Sequence, residues 1–160
     1  MIKEIDVNSI PECVNVIWKS FSTVAKEFGF TEENAPRFTA FATTKERLEY
    51  QLYNEHRLMY AYFSDDNEII GYYSLLLNGR ECELNNLCVL SEYRHKGIGT
   101  ELLEDSYIRA KENGCNIINI GIVEENTVLR KWYEDNGFIH IRTEKFDFFP
   151  FTCGYMIKKL

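Results

Sequence analysis

The stretch LCVLSEYRHKGIGTELL, residues 87–103, constrains the fold of this chain more than any other segment. It begins as an apolar strand and ends as a helix with periodic apolar residues. Between the two lie three potentially cationic side chains, Arg94, His95 and Lys96, which run directly into Gly97-Ile98-Gly99. A strand that passes through a short loop into a helix is a connecting unit of sheets covered by helices. We therefore predict an α/β architecture with this crossover at its centre.

The remaining hydrophobic patterns extend this unit into a complete order of elements. Asn78-Gly79 is the strongest hairpin signal in the chain and joins two strands of a three-stranded meander. The order β-α-α-β-β-β-α-β-α-β-β predicts an α/β (α+β) fold with a mixed, mostly antiparallel central sheet flanked by helices. The predicted strands cover residues 1–7, 57–64, 68–77, 81–90, 115–123, 138–146 and 151–160, and the predicted helices cover 9–29, 43–56, the segment from the glycine loop to about 113, and 126–136.

Capping residues mark the ends of the predicted N-terminal helices. Ser9 and Glu12 fit a capping box at the start of the first helix. Gly29 fits the left-handed position just after its end. Thr43 or Thr44 is expected to cap the second helix, since a hydroxyl can accept a hydrogen bond from a free N–H group of the first turn.

Composition limits the class of protein. With 160 residues, 45% of them hydrophobic, the chain is expected to form one domain over residues 1–160. The chain has 25 acidic and 18 basic residues. This acidic balance argues against nucleic-acid binding, which depends on the neutralisation of phosphates by lysine and arginine. No apolar run is long enough to cross a membrane, and the N-terminus lacks the apolar core of a signal peptide. We expect a cytoplasmic protein without a membrane partner, either a monomer or a homodimer.

The cysteines give no sign of a disulfide framework or a metal site. Their number is odd, they are scattered along the chain, and they form no CxxC or Cys/His cluster. We therefore predict that no metal is bound and that the thiols are small buried residues in a reducing compartment. The five are Cys13, Cys82, Cys88, Cys115 and Cys153.

The glycine loop has two interpretations on its own. At the start of a helix several N–H groups lack intrahelical partners, and the helix dipole favours negative charge. Gly97 and Gly99 would let a bulky anion approach these groups, and Arg94 and Lys96 would add charge at the rim, which suits a phosphate or diphosphate. Alternatively, the glycines shape a tight turn from strand to helix and the basic side chains are solvated. The pattern is neither a Walker A loop nor a GxGxxG fingerprint.

Two motifs decide between these interpretations by resemblance. LCVLSEYRHKGIGTELL resembles the acyl-CoA-binding motif of the GNAT-type N-acetyltransferase superfamily, (R/Q)xxGx(G/A) after an apolar strand. NTVLRKWYEDNGF, residues 126–138, is similar to the second signature of that superfamily, in which an asparagine is followed after seven residues by a tyrosine and then by a helix-ending Gly-Phe. The predicted order of elements matches the GNAT fold over nearly the whole chain, although the specific motifs lie within 83–138.

The resemblance implies acetyl-CoA as the acetyl donor. The loop would then hold the diphosphate of the coenzyme, and the backbone of the preceding strand would lie beside its pantetheine arm, where an amide would stabilise the oxyanion of the reaction. The residues that this implies are Leu87, Cys88 and Val89 on the strand and Arg94, His95, Lys96, Gly97, Ile98, Gly99 and Thr100 on the loop.

The same resemblance suggests residues that move protons. An alkylamine is mostly protonated at neutral pH and must lose a proton before it attacks, and Glu83 is the first candidate for the base because it lies eleven residues before Arg94, as in the histone-acetylating branch. Tyr133 is the candidate general acid for the leaving thiolate. Glu83 could instead be a solvent-facing residue at the start of a strand, and Tyr133 a core tyrosine.

Three further residues near the motifs have open roles. Asn126 could bind the coenzyme through its amide or cap its helix. Arg130 could reach a phosphate of the coenzyme or lie in solvent. A covalent route through Cys88 is not favoured, since nothing supplies the thiol with a histidine and an acid.

In GNAT-type enzymes the acceptor usually enters between the N-terminal helices and the last pair of strands. Those segments are aromatic here and could form an apolar pocket, with Glu27, Glu32 or Glu33 nearby in sequence to attract an amine. This favours an amine over an anionic acceptor. We therefore expect acetyl transfer to the amine of a small molecule or peptide by direct attack in a ternary complex. A CoA-binding sensor without catalysis is the alternative from a different class.

Overall fold

One seven-stranded sheet runs through the computed structural model, which describes residues 1–160. The strands are β1 (Ile2–Glu4), β2 (Leu58–Phe63), β3 (Ile69–Asn78), β4 (Glu81–Val89), β5 (Ile117–Val123), β6 (Ile139–Lys145) and β7 (Thr152–Lys159). The helices are α1 (Ile10–Phe28), α2 (Thr39–Ala42), α3 (Lys45–Tyr53), α4 (Ile98–Glu112) and α5 (Thr127–Asp135). The strand order is β1-β2-β3-β4-β5-β7-β6, and every pair is antiparallel except β4 with β5. The predicted fold class and order are confirmed, and the structure adds the short helix α2 and two 3-10 turns, Val7–Ser9 and Ser91–Tyr93.

The helix ends follow the sequence signals, with one exception. Gly29 ends α1 in the left-handed conformation at a φ of 72°, and the Thr44 hydroxyl accepts a hydrogen bond from the Arg47 N–H. The predicted capping box is wrong, because the Ser9 side chain caps nothing. Glu12 instead accepts a hydrogen bond from the Ile69 N–H at 2.9 Å, which joins the start of α1 to the start of β3.

The helices cover both faces of the sheet because side chains alternate along each strand. Tyr72 packs with α1 and α3, whereas its neighbour Tyr73 packs with α4. In β4, Cys82 and Leu84 belong to the same buried cluster as residues of α4. That face is called the α4 face below, and the opposite face the α1 face.

Strands β4 and β5 separate soon after they meet, and this separation positions the site. Their parallel pairing covers three residue pairs, from Glu81 with Ile117 to Glu83 with Asn119. Against β3, the register changes between Ser74 with Asn85 and Tyr72 with Cys88, so β4 contains one extra residue there, a bulge at which Asn86 has a φ of 56°. Beyond Glu83, the two strands continue side by side without pairing and leave a cleft between them.

The structure contains neither a membrane-spanning helix nor a cluster of metal-binding side chains. No helix combines the length and the apolar character needed to span a lipid bilayer. No three His, Cys, Asp or Glu side chains come together in a group that could hold a metal ion.

Candidate active site

The turn that leads into α4 presents a row of free backbone donors. The six consecutive N–H groups from His95 to Thr100 donate to no acceptor in the protein, and the next one, that of Glu101, bonds to the Gly97 carbonyl at 3.0 Å. No side chain caps the helix. Free N–H groups at the positive end of a helix dipole form an anion site. The turn therefore fits the diphosphate of a coenzyme better than it fits a closed structural turn.

The turn has glycine at positions 97 and 99 for different reasons. Gly97 has a φ of 84°, and a Cβ there would meet nothing within 4 Å, so its role is conformational. Gly99 has an ordinary φ, and a Cβ there would lie 3.8 Å from the Trp132 ring and 3.9 Å from the Val89 side chain. The glycine turn, the end of β4 and helix α5 thus meet at Gly99, which brings the two sequence motifs together in space.

The side chain of Arg94 makes contacts that the sequence did not predict. Its guanidinium donates to the Val89 carbonyl, to the Thr23 hydroxyl and to the Ser20 carbonyl, each at 3.0 Å. Three protein acceptors therefore fix it between β4 and α1. These contacts favour a bracing role over the predicted charge at the phosphate rim, where Lys96 and His95 remain exposed.

The residues predicted to lie beside the pantetheine arm follow the bulge, at the end of β4. Leu87 is half-buried against the main cluster, and Cys88 and Val89 are buried. The Val89 carbonyl is engaged by Arg94. Burial raises the pKa of Cys88 to about 12, so its thiolate is scarce at neutral pH. A covalent acetyl-cysteine route through this residue is therefore disfavoured on physical grounds as well.

Tyr133 lies on the α4 face beside the cleft. Its ring is buried against Trp132 and Phe138, with ring centroids 4.9 and 5.2 Å apart. Burial, with smaller effects from Tyr107 and Cys88, raises the pKa of Tyr133 well above its usual value. The hydroxyl makes no hydrogen bond to the protein and is not fully enclosed. A neutral phenol with a free hydroxyl beside the cleft can donate a proton.

The other two candidates of α5 have protein partners. Asn126 caps the helix, since its Oδ1 accepts a hydrogen bond from the Leu129 N–H at 3.2 Å, and its amide nitrogen remains available. Arg130 is held by Glu124 at 2.7 Å and by Glu134 at 2.8 Å. These ion pairs favour a structural role for Arg130 over the predicted contact with a coenzyme phosphate.

Glu83 lies on the α1 face, opposite Tyr133. It occupies the last position at which β4 pairs with β5, between Cys82 and Leu84, which point to the α4 face. Its carboxylate is exposed, has no hydrogen-bond partner and lines a cavity of about 460 Å³. The neighbouring carboxylate of Glu81 lines the same cavity but accepts a hydrogen bond from Asn119 at 3.2 Å.

A second cavity, of about 210 Å³, lies at the other end of the cleft. It is lined mainly by apolar side chains of α1, β5, β7 and the segment before β7, together with Arg37. None of the three glutamates expected near the acceptor, Glu27, Glu32 and Glu33, lines either cavity. Sequence patterns missed Arg37 because it lies in an irregular segment without periodicity.

An open parallel strand pair followed by an anion-binding turn defines an acyl-CoA-dependent transferase site. In agreement, residues 18–138 match the family model described as the acetyltransferase (GNAT) family. The chain belongs to this family, and it is an acetyl-CoA-dependent acetyltransferase. The resemblance noted in the sequence is thereby confirmed.

Solved structures share the fold, and one curated protein is similar over part of the chain. The PaiA N-acetyltransferase of Thermoplasma acidophilum, in complex with coenzyme A, is 22% identical, with a TM-score of 0.85 over 100% of this chain and 98% of that one. The ribosomal-protein-S18-alanine N-acetyltransferase of Escherichia coli is 14% identical, with a TM-score of 0.75 over 99% and 92%. At such identities the likeness shows the fold. The uncharacterized protein YdhI of Bacillus subtilis is 30% identical over 79 residues, about half of each chain (49% and 48%).

Replacement of Gly99 by glutamate tests the anion site. The new carboxylate would lie among the free N–H groups and repel a diphosphate, so we expect acetyl-CoA affinity to fall by at least about 100-fold in calorimetry. The melting temperature should change little, since a Cβ at Gly99 makes ordinary contacts. Ile108→Glu, which adds the same charge at an exposed position of α4, is the control and should bind normally. Unchanged affinity in Gly99→Glu would contradict the assignment.

Proposed function

We propose that residues 1–160 act as one acetyltransferase domain that transfers acetyl from acetyl-CoA to the amine of a small molecule or peptide, by direct attack in a ternary complex. One observation carries this proposal: the row of free N–H groups lies beside a strand cleft that has an unpartnered carboxylate on one face and a neutral phenol on the other. An acyl donor and an acceptor can therefore meet from opposite sides of the sheet.

The residues of the turn supply the binding of the donor. The N–H groups from His95 to Thr100 would hold the diphosphate, and the exposed Lys96 would add a cation at the rim. Acetyl-CoA supplies the activated thioester. The unpaired edge of β4 between Leu84 and Val89 offers main-chain groups to the pantetheine arm and an N–H to the thioester oxygen.

Glu83 and Tyr133 would divide the proton transfers between the two faces. Glu83 would accept one proton of the incoming ammonium, directly or through water, and the free amine would form a C–N bond with the acetyl carbon. The attacking nitrogen, which is then cationic, would release a second proton to water, so that a neutral amide results. As the C–S bond breaks, Tyr133 donates its proton to the thiolate. The phenol is neutral before each turnover, but the burial that raises its pKa also makes it a weaker acid, so its role as donor rests on its position and its free hydroxyl.

The test of this function is a steady-state measurement of CoA release with a panel of amines. Direct attack in a ternary complex gives intersecting double-reciprocal lines when both substrates are varied, whereas a covalent acetyl-enzyme gives parallel lines. We expect intersecting lines. Acetyl-CoA binding without release of CoA on any amine would favour the sensor alternative, and parallel lines would contradict direct attack.

Tyr133→Phe should reduce kcat by roughly 100-fold and leave the affinity for acetyl-CoA nearly unchanged, because only the proton donor is lost. Rapid-quench or steady-state rates, with calorimetric binding in parallel, would measure both effects. Tyr107→Phe is a matched control, since the Tyr107 hydroxyl belongs to the same cluster and is buried without a partner. A Tyr133→Phe variant that turns over at the wild-type rate would remove this residue from the mechanism.

Glu83→Gln should lower kcat/KM for an alkylamine most strongly near neutral pH, where the acceptor is protonated and the base is needed. The loss should shrink towards pH 10, where the free amine becomes abundant. Glu81→Gln is the control, because that carboxylate lines the same cavity and is engaged by Asn119. If kcat/KM falls by the same factor at every pH, or equally in the two variants, Glu83 is not the general base.

A further inference from the structure

We infer that the acceptor is an apolar α-amino acid, whose carboxylate binds Arg37 while its amine faces the cleft. This inference rests on the proposed acetyl transfer and names the class of its acceptor. It departs from the expectation of an acidic pocket for a simple amine.

The cavity of about 210 Å³ adjoins the place where acetyl transfer would occur. Its lining includes Gly121, Ile122 and Val123, the part of β5 that has already left β4. It also includes Leu129, one helical turn before Tyr133 on the same side of α5. Tyr155 lines both this cavity and the cavity that contains Glu83. An acceptor held here can therefore direct an amine towards the cleft.

Arg37 gives this cavity its charge. It is the only charged residue in the lining, and no carboxylate lies within ion-pair distance of it. Its guanidinium stacks instead on the Phe148 ring, 4.2 Å from the centroid. Stacking orients the planar fork and leaves its N–H groups free for a carboxylate, which guanidinium binds with two parallel hydrogen bonds.

Two carboxylates in segments next to the cavity are already engaged by the protein. Glu125 accepts a hydrogen bond from the Thr152 N–H at 2.7 Å, and Glu144 pairs with Arg142 at 3.0 Å. Arg37 is exposed to solvent, and an acceptor with an amine and no anion would leave its guanidinium with water as its only polar partner. An amino acid supplies the missing charge and keeps its own amine free to react.

The rest of the cavity fits an apolar side chain of modest size. Four phenylalanines line it: Phe21, Phe38, Phe149 and Phe151. A volume of about 210 Å³ corresponds to roughly seven water molecules at the volume each occupies in the liquid. This is room for a side chain such as that of leucine, with the carboxylate at the Arg37 end. A peptide N-terminus lacks a carboxylate next to its amine and fits less well.

The test compares acceptors that differ only in the carboxylate. L-leucine is paired with 3-methylbutylamine and L-phenylalanine with 2-phenylethylamine, and kcat/KM is measured for wild type and Arg37→Gln. The amino groups of the two compounds in each pair differ in basicity. The informative quantity is therefore the ratio of kcat/KM for the amino acid to kcat/KM for its amine, compared between wild type and Arg37→Gln. We expect Arg37→Gln to lower kcat/KM for the amino acids by about 10- to 100-fold and to leave the amines within about twofold. Arg47→Gln, an exposed arginine outside both cavities, should change neither.

A binding measurement separates this inference from the proposed function. In calorimetry with the CoA-loaded protein, L-leucine should bind, and Arg37→Gln should abolish the binding. If this is seen without acetyl transfer, the Arg37 site for an amino acid stands and the proposed reaction fails. If amines are acetylated and Arg37→Gln leaves the ratios unchanged, the acceptor class is wrong and the reaction stands. The absence of both acetylation and Arg37-dependent binding would overturn both.

Discussion

The separation of β4 from β5 is the constraint on which the rest of the site depends. Two parallel strands normally satisfy each other along their whole length, and here the pairing stops after three residue pairs. The bulge at Asn86 turns β4 away while β3 continues to hold its other edge. The unpaired edges are stable in the protein only if something else satisfies their N–H and C=O groups, and an extended amide-containing arm such as pantetheine can do so.

Arg94 connects this opening to the N-terminal half of the chain. Its guanidinium spans from the Val89 carbonyl at the end of β4 to Ser20 and Thr23 of α1. The glycine turn begins three residues later, so the brace fixes where the free N–H groups point. It also links the donor side to α1, whose Phe21 lines the aromatic cavity. Arg94, which the sequence suggests as a phosphate ligand, is thus better understood as a brace between the end of β4 and α1.

The sequence predicts the parts of the site that depend on local chemistry. Gly97 and Gly99 mark a helix start with free donors because their signal lies within one turn of chain. Glu83 and Tyr133 can be assigned to faces because strand and helix periods are regular. The partners of Arg94 lie 71 and 74 residues earlier in the chain, and no local pattern encodes such contacts. Arg130 and Arg37 show the same limit, because the sequence around each gives no sign of its partners. Tertiary packing pairs Arg130 with Glu124 and leaves Arg37 without a carboxylate.

The alternation of β4 has a consequence for the proposed reaction. Cys82 and Leu84 point to the face of Tyr133, so Glu83 between them must point to the other face. The proposed base and the proposed acid are therefore on opposite faces of the sheet. In the proposed reaction the proton taken from the amine would leave on the α1 face, and the proton given to the thiolate would come from the α4 face. Such a division would let the acceptor side, including Arg37, change without altering the departure of coenzyme A.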